Sequence, residues 1–132
     1  MAIIRYIWAL NPGGATGTPC TFGAPSNMSS SASYSQEQDN ITGAAGAVVT
    51  IQVTGYNNIS NRYGEVLVNG GQVVLNDTFT VTLDGTGNGS FIARCQGDPT
   101  QTGTGIWVIF TVTGVSIGQI GNPSTHGTSK TF

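Results

Sequence analysis

His126 is the sole imidazole of the chain and sits in Pro123-Ser-Thr-His126-Gly-Thr-Ser, a stretch with no apolar residue to hold it. A Ser–His–carboxylate relay needs an imidazole fixed by a buried carboxylate. A pair with Cys95 as nucleophile would need the same rigidity, so His126 reads as a solvated residue. Asp84-x-Thr86-x-Asn88-Gly89 imitates the first half of a calcium loop, but the place of the bidentate Glu is taken by Cys95. A hairpin turn is the better reading. Glu37 and Asp39 fall on one side of a weak strand, and Glu65 and Asp77 flank a meander. Two carboxylates could hydrolyse a glycoside if they converged, and nothing in their spacing makes them do so. Gly13-Gly14-Ala15-Thr16-Gly17 lacks the Lys and the helix of a phosphate loop. Cys20 and Cys95 are the two thiols, 75 positions apart. A bridge over that span would contribute about 4 kcal/mol, while two unpaired thiols is the plainer reading, and spacing leaves both open. One His and two Cys give no repertoire for structural zinc. No catalytic residue, cofactor or metal is expected, and the chain does not read as an enzyme.

Aromatic and apolar residues are the better candidates. Tyr34, Tyr56, Tyr63 and Trp8 lie near polar, Gly-rich segments. A sugar-stacking loop would use Tyr56, Asn57, Asn58, Asn61 and Tyr63, with plain packing as the competing account. Trp107, Phe79, Phe91 and Phe110 read as core. Ile3, Ile4, Ile7, Trp8 and Leu10 make Ile3–Leu10 apolar on both faces of any strand. A terminal strand of an isolated sandwich normally shows one polar face. The segment is therefore expected to be an assembly surface, unless it is buried centrally within its own chain.

Composition sets the frame for these residues. The chain has 132 residues, 20 of them Gly, with 8% charged residues and a net charge of −2. That is one domain's length. Four Lys and Arg cannot neutralise a run of phosphates, which excludes an electrostatic nucleic-acid binder, and a polybasic membrane-surface protein is disfavoured for the same reason. No run approaches the ~20 apolar residues of a membrane span. Arg5 interrupts the N-terminal apolar stretch and no Ala-x-Ala site follows it, so no signal peptide is expected. Five Asn-x-Ser/Thr triplets begin at Asn27, Asn40, Asn58, Asn76 and Asn88, as an Asn- and Thr-rich chain produces by accident.

No segment keeps a helical apolar period, whereas short alternating runs abound. Ala47–Thr54 is the cleanest, with Val49, Ile51 and Val53 facing one way. Thr78–Leu83 alternates strictly, with Phe79, Val81 and Leu83 inward. Asn69-Gly70-Gly71 between Gly64–Val68 and Gln72–Leu75 is a strong hairpin signal. Ser90–Cys95 and Ile106–Val115 add two strands, the second apolar enough for burial on both faces. Ser33–Gln38 reads as a weak edge strand, residues 11–33 as a Gly/Ser/Pro-rich loop, and 116–132 as a C-terminal arm or tail. Residues 1–115 thus form a single all-β domain, an antiparallel β-sandwich or jelly roll of about eight strands with N- and C-terminal arms.

With its low charge, apolar N-terminal arm and Gly/Thr-rich strands, the chain resembles the small β-sandwich proteins of bacteriophage virions. These are the head decoration proteins, head-fibre subunits and fibre-tip domains. Ser33–Thr54 is also similar to repeats of bacterial cell-surface adhesins, although Ile41 stands where those often carry Cys. The virion resemblance implies a structural protein made in the host cytoplasm and built into a particle. It would act through capsid or other virion proteins and as a homo-oligomer, because so charge-poor a chain lacks the charged surface that keeps monomers apart. A carbohydrate-binding module reading a host surface glycan through the Tyr56–Tyr63 loop is the alternative.

Overall fold

Alternation dictates the strands. In a computed structural model of the chain, Val49, Ile51 and Val53 are buried, while Thr50 and Gln52 between them are half-exposed. The structure describes residues 4–12, 19–23, 26–30, 34–58, 65–97, 105–113, 116–120 and 129–131. These hold β1 (Ile4–Pro12), β2 (Pro19–Phe22), β3 (Ser26–Ser30), β4 (Tyr34–Thr42), β5 (Val48–Asn58) and β6 (Glu65–Val68). Then follow β7 (Gly71–Val73), β8 (Thr78–Thr82), β9 (Asn88–Gln96), β10 (Gly105–Thr113), β11 (Ser116–Ile120) and β12 (Ser129–Thr131). No helix occurs among the described residues.

The strands form two sheets. One has the order β12-β1-β10-β5-β8, and the other β11-β2-β4-β9-β6-β7 with β3 also on β4. Ladders are antiparallel except for β1 with β10 and β2 with β11. The sheets pack face to face, β1 against β4 and β9, and β10 against β6 and β9. This is the expected all-β sandwich. The eight strands read from the sequence correspond to β1 and β4 to β10.

The other four strands come from segments without alternation. Residues 11–33, read as a loop, supply β2 and β3, which lie in succession along one edge of β4: Phe22 opposes Ile41, and Ser30 opposes Ser35. Residues 116–132, read as a tail, supply β11 beside β2 and β12 beside β1. Backbone N–H and C=O groups pair whatever the side chains are, so polar segments join a sheet that offers them an edge. For the same reason β4 is an interior strand, not the weak edge strand expected of it.

Between the sheets the core includes Phe22, Ile41, Ile51, Val66, Leu83, Phe91, Phe110 and Val112, each 1% exposed or less. Phe79, Phe91 and Phe110 meet edge to face, with ring centroids 5.2–5.6 Å apart. In β10 Val108, Phe110 and Val112 are fully buried but Ile109 and Thr111 only half so. Burial on both faces was expected there, and one face is instead partly open.

Asn69 and Gly70 join β6 to β7 with φ of 49° and 84°, and Val68 opposes Gly71. Positive φ at both central residues is the type I′ turn that matches strand twist. A Cβ at Gly70 would meet nothing within 4 Å, so the cost of a side chain there is conformational alone. Gly70→Val is expected to lose about 1–2 kcal/mol, read as a lower midpoint of thermal unfolding. An unchanged midpoint would contradict the turn assignment.

Candidate functional site

β4 separates two chemical environments by its period of two. Ser35, Glu37 and Asp39 point inward and are 0% exposed, while Tyr34, Gln36, Gln38 and Asn40 are half-exposed on the other face. On the inner face Ser35 opposes Cys95, Glu37 opposes Ala93 and Asp39 opposes Phe91. Among the described residues neither oxygen of Glu37 nor the hydroxyl of Ser35 has a hydrogen-bond partner. Burial, with the Asp39 charge next to it, pushes the Glu37 carboxyl up to about 10. Burial pushes Asp39 up to about 8, opposed in part by the Asn40 backbone N–H. Desolvation disfavours the ionised form, so burial favours the protonated form of both carboxyls. Here are the paired acids that glycoside hydrolysis would need, but they are shut inside the sandwich, away from any external substrate.

The outer face of the same strand carries an interlocked polar row. Arg94 on β9 lies opposite Gln36 on one side and Leu67 on the other. Its Nε donates to Gln36 Oε1 at 2.8 Å, and its guanidinium stacks 4.0 Å above the Tyr34 ring. Asn27 Nδ2 donates to Gln38 Oε1 at 2.7 Å, and Gln96 Nε2 to Glu65 Oε1 at 3.1 Å. Asn69 Oδ1 accepts the Ile92 N–H at 3.0 Å, which ties the β6–β7 turn to β9. Gln36, Leu67, Asn69, Gly70, Ile92 and Arg94 surround a depression of about 290 Å³.

The residues singled out in the sequence are distributed differently. Ile4, Ile7, Trp8 and Leu10 lie on β1, whose backbone pairs with β10 on one side and β12 on the other. The β10 pairing runs from Ile4 to Pro12, whereas the β12 pairing covers Ile4–Tyr6. Tyr56, Asn57 and Asn58 belong to β5 and oppose Val108, Trp107 and Ile106, so this part of the expected Tyr56–Tyr63 loop is strand. Ile3, Asn61, Tyr63, His126 and Gly13–Gly17 lie outside the described residues. Cys20 and Cys95 are buried with no disulfide between them, and burial raises the Cys20 thiol. Asp84 forms the expected turn: its Oδ1 accepts the Thr86 N–H, the Thr86 hydroxyl and the Asn88 N–H at 2.8, 2.7 and 3.0 Å. The Asn88 bond is foremost in holding the Asp84 carboxyl below its ordinary range. Glu65 is engaged by Gln96, and Asp77 Oδ2 accepts the Val74 N–H at 2.8 Å.

Sequence reasoning missed Gln36, Leu67, Ile92 and Arg94 as a group. The alternation Tyr34-x-Gln36-x-Gln38 was a usable signal, but only the register of β4 on β9 brings Arg94 to it. No family model matches the chain, and no curated protein or solved structure matches it.

Proposed function

We propose that this chain is a structural subunit of a phage particle surface, a capsid decoration or fibre protein, acting through protein–protein assembly. The observation that carries this reading is β8. It closes one side of the five-stranded sheet and pairs with β5 without a bulge, from Gln52 opposite Thr78 to Val48 opposite Thr82. Among the described residues no strand lies on its other side. Its sequence, Thr-Phe-Thr-Val-Thr, has no charge and no proline, and its three Thr residues are exposed.

Soluble monomers ordinarily guard such edges with Lys, Pro or a bulge, because a bare edge recruits another strand. A particle subunit has a use for one, since strand addition joins chains through backbone hydrogen bonds. Low charge supports the same reading, because little electrostatic repulsion keeps copies apart.

Sedimentation equilibrium and co-sedimentation with phage heads test it. The chain is expected to self-associate or to pellet with heads, and Thr80→Lys to weaken that association at least tenfold while circular dichroism stays unchanged. A chain that remains monomeric at every concentration and does not pellet with heads overturns the proposal.

A further inference from the structure

Four features of the outer face of the second sheet point to one ligand chemistry. Arg94 is one of four Lys and Arg residues in the chain, and it is held by an amide and an aromatic ring instead of a carboxylate. Glu65, the acid on the neighbouring strand, accepts from Gln96. With Nε given to Gln36 and one face on Tyr34, the guanidinium is oriented while its Nη groups make no hydrogen bond among the described residues. An oriented guanidinium fork matches a carboxylate in bidentate fashion.

The rim adds donors. Asn69 spends its Oδ1 on Ile92 and Gln36 its Oε1 on Arg94, which leaves each with an amide NH2 to give. The depression between them also carries apolar surface from Leu67 and from Ile92, which is 39% exposed. Donors around an apolar floor suit a ligand that combines a carboxylate, hydroxyl acceptors and a C–H face. A carboxylate-bearing sugar has all three, and the depression is sized for a single ring.

We infer that the depression bounded by Gln36, Leu67, Asn69 and Arg94 binds an acidic saccharide, a sialic or uronic acid residue, with Arg94 taking the carboxylate. This site is separate from the β8 edge and does not depend on how the chain assembles.

The test is titration of the full chain with sialyllactose and with galacturonate, against lactose and galactose as neutral counterparts, followed by NMR or calorimetry. Saturable binding of an acidic sugar is expected, with the neutral counterpart at least tenfold weaker. Arg94→Met is expected to weaken the acidic sugar at least tenfold. Ile92→Glu changes an exposed residue and leaves Arg94 in place, so it removes binding by repulsion even if Arg94→Met compromises the fold. Absence of binding to both acidic sugars, equal binding of the neutral ones, or undiminished binding by Ile92→Glu overturns the inference.

Discussion

Glu37→Gln is expected to raise the stability of the protein at pH 8 by at least about 2 kcal/mol, and to flatten its fall with pH. The sign follows from proton uptake. Carboxyls in an unfolded chain ionise near pH 4, whereas in the sandwich burial holds Glu37 to about 10 and Asp39 to about 8. Between those limits the native state binds more protons than the unfolded one, so stability falls as pH rises, by about 1.4 kcal/mol per pH unit per group. It is greatest below pH ~4 and declines to about pH 8 for Asp39 and about pH 10 for Glu37. Glutamine keeps the shape and has no proton to lose, so it removes one of the two contributions, and adding Asp39→Asn removes the other. Thermal unfolding from pH 4 to pH 9 reads this directly, with a gain of roughly 5–10 °C for Glu37→Gln at pH 8. Destabilisation by Glu37→Gln at pH 8 would mean that the pair is ionised and met by a cation.

Phe110→Ala is expected to cost about 3–5 kcal/mol, a large share of the 5–15 kcal/mol typical of a domain. Phe110 is fully buried on β10, and its ring meets both Phe79 and Phe91 edge to face at 5.6 Å. Phe79 comes from β8, Phe91 from β9 and Phe110 from β10, so the three rings join the two sheets. Truncation removes the transfer energy of one ring and the packing of the other two, and leaves a cavity that strands cannot readily collapse into. Phe110→Leu keeps most of the volume and should cost about 1–2 kcal/mol. Urea unfolding of the two variants measures the difference. A loss under about 1 kcal/mol for Phe110→Ala would show that the rings are not packed together.

The sequence alone determined what depends on neighbours along the chain. Strict alternation in Ala47–Thr54 and Thr78–Leu83 marked the core strands, because a period of two leaves one way to bury Val49, Ile51, Val53 and Val81. Asn69-Gly70 and the Asp84 turn were legible for a related reason: positive φ and short side-chain caps act within a few residues. Tertiary structure decided the rest. β2, β3, β11 and β12 have no pattern of their own and exist because β4, β2 and β1 offer them hydrogen-bonding edges. Glu37 and Asp39 looked like residues of a polar edge strand until β4 was placed between β2 and β9, which turned their side of the strand into the core. Arg94 shows the same limit, since it is 58 residues from Gln36 and meets it only through the register of β4 on β9. Alternation tells which residues share a face of one strand. Which strands become neighbours, and which face turns inward, is settled by long-range pairing that no local spacing encodes.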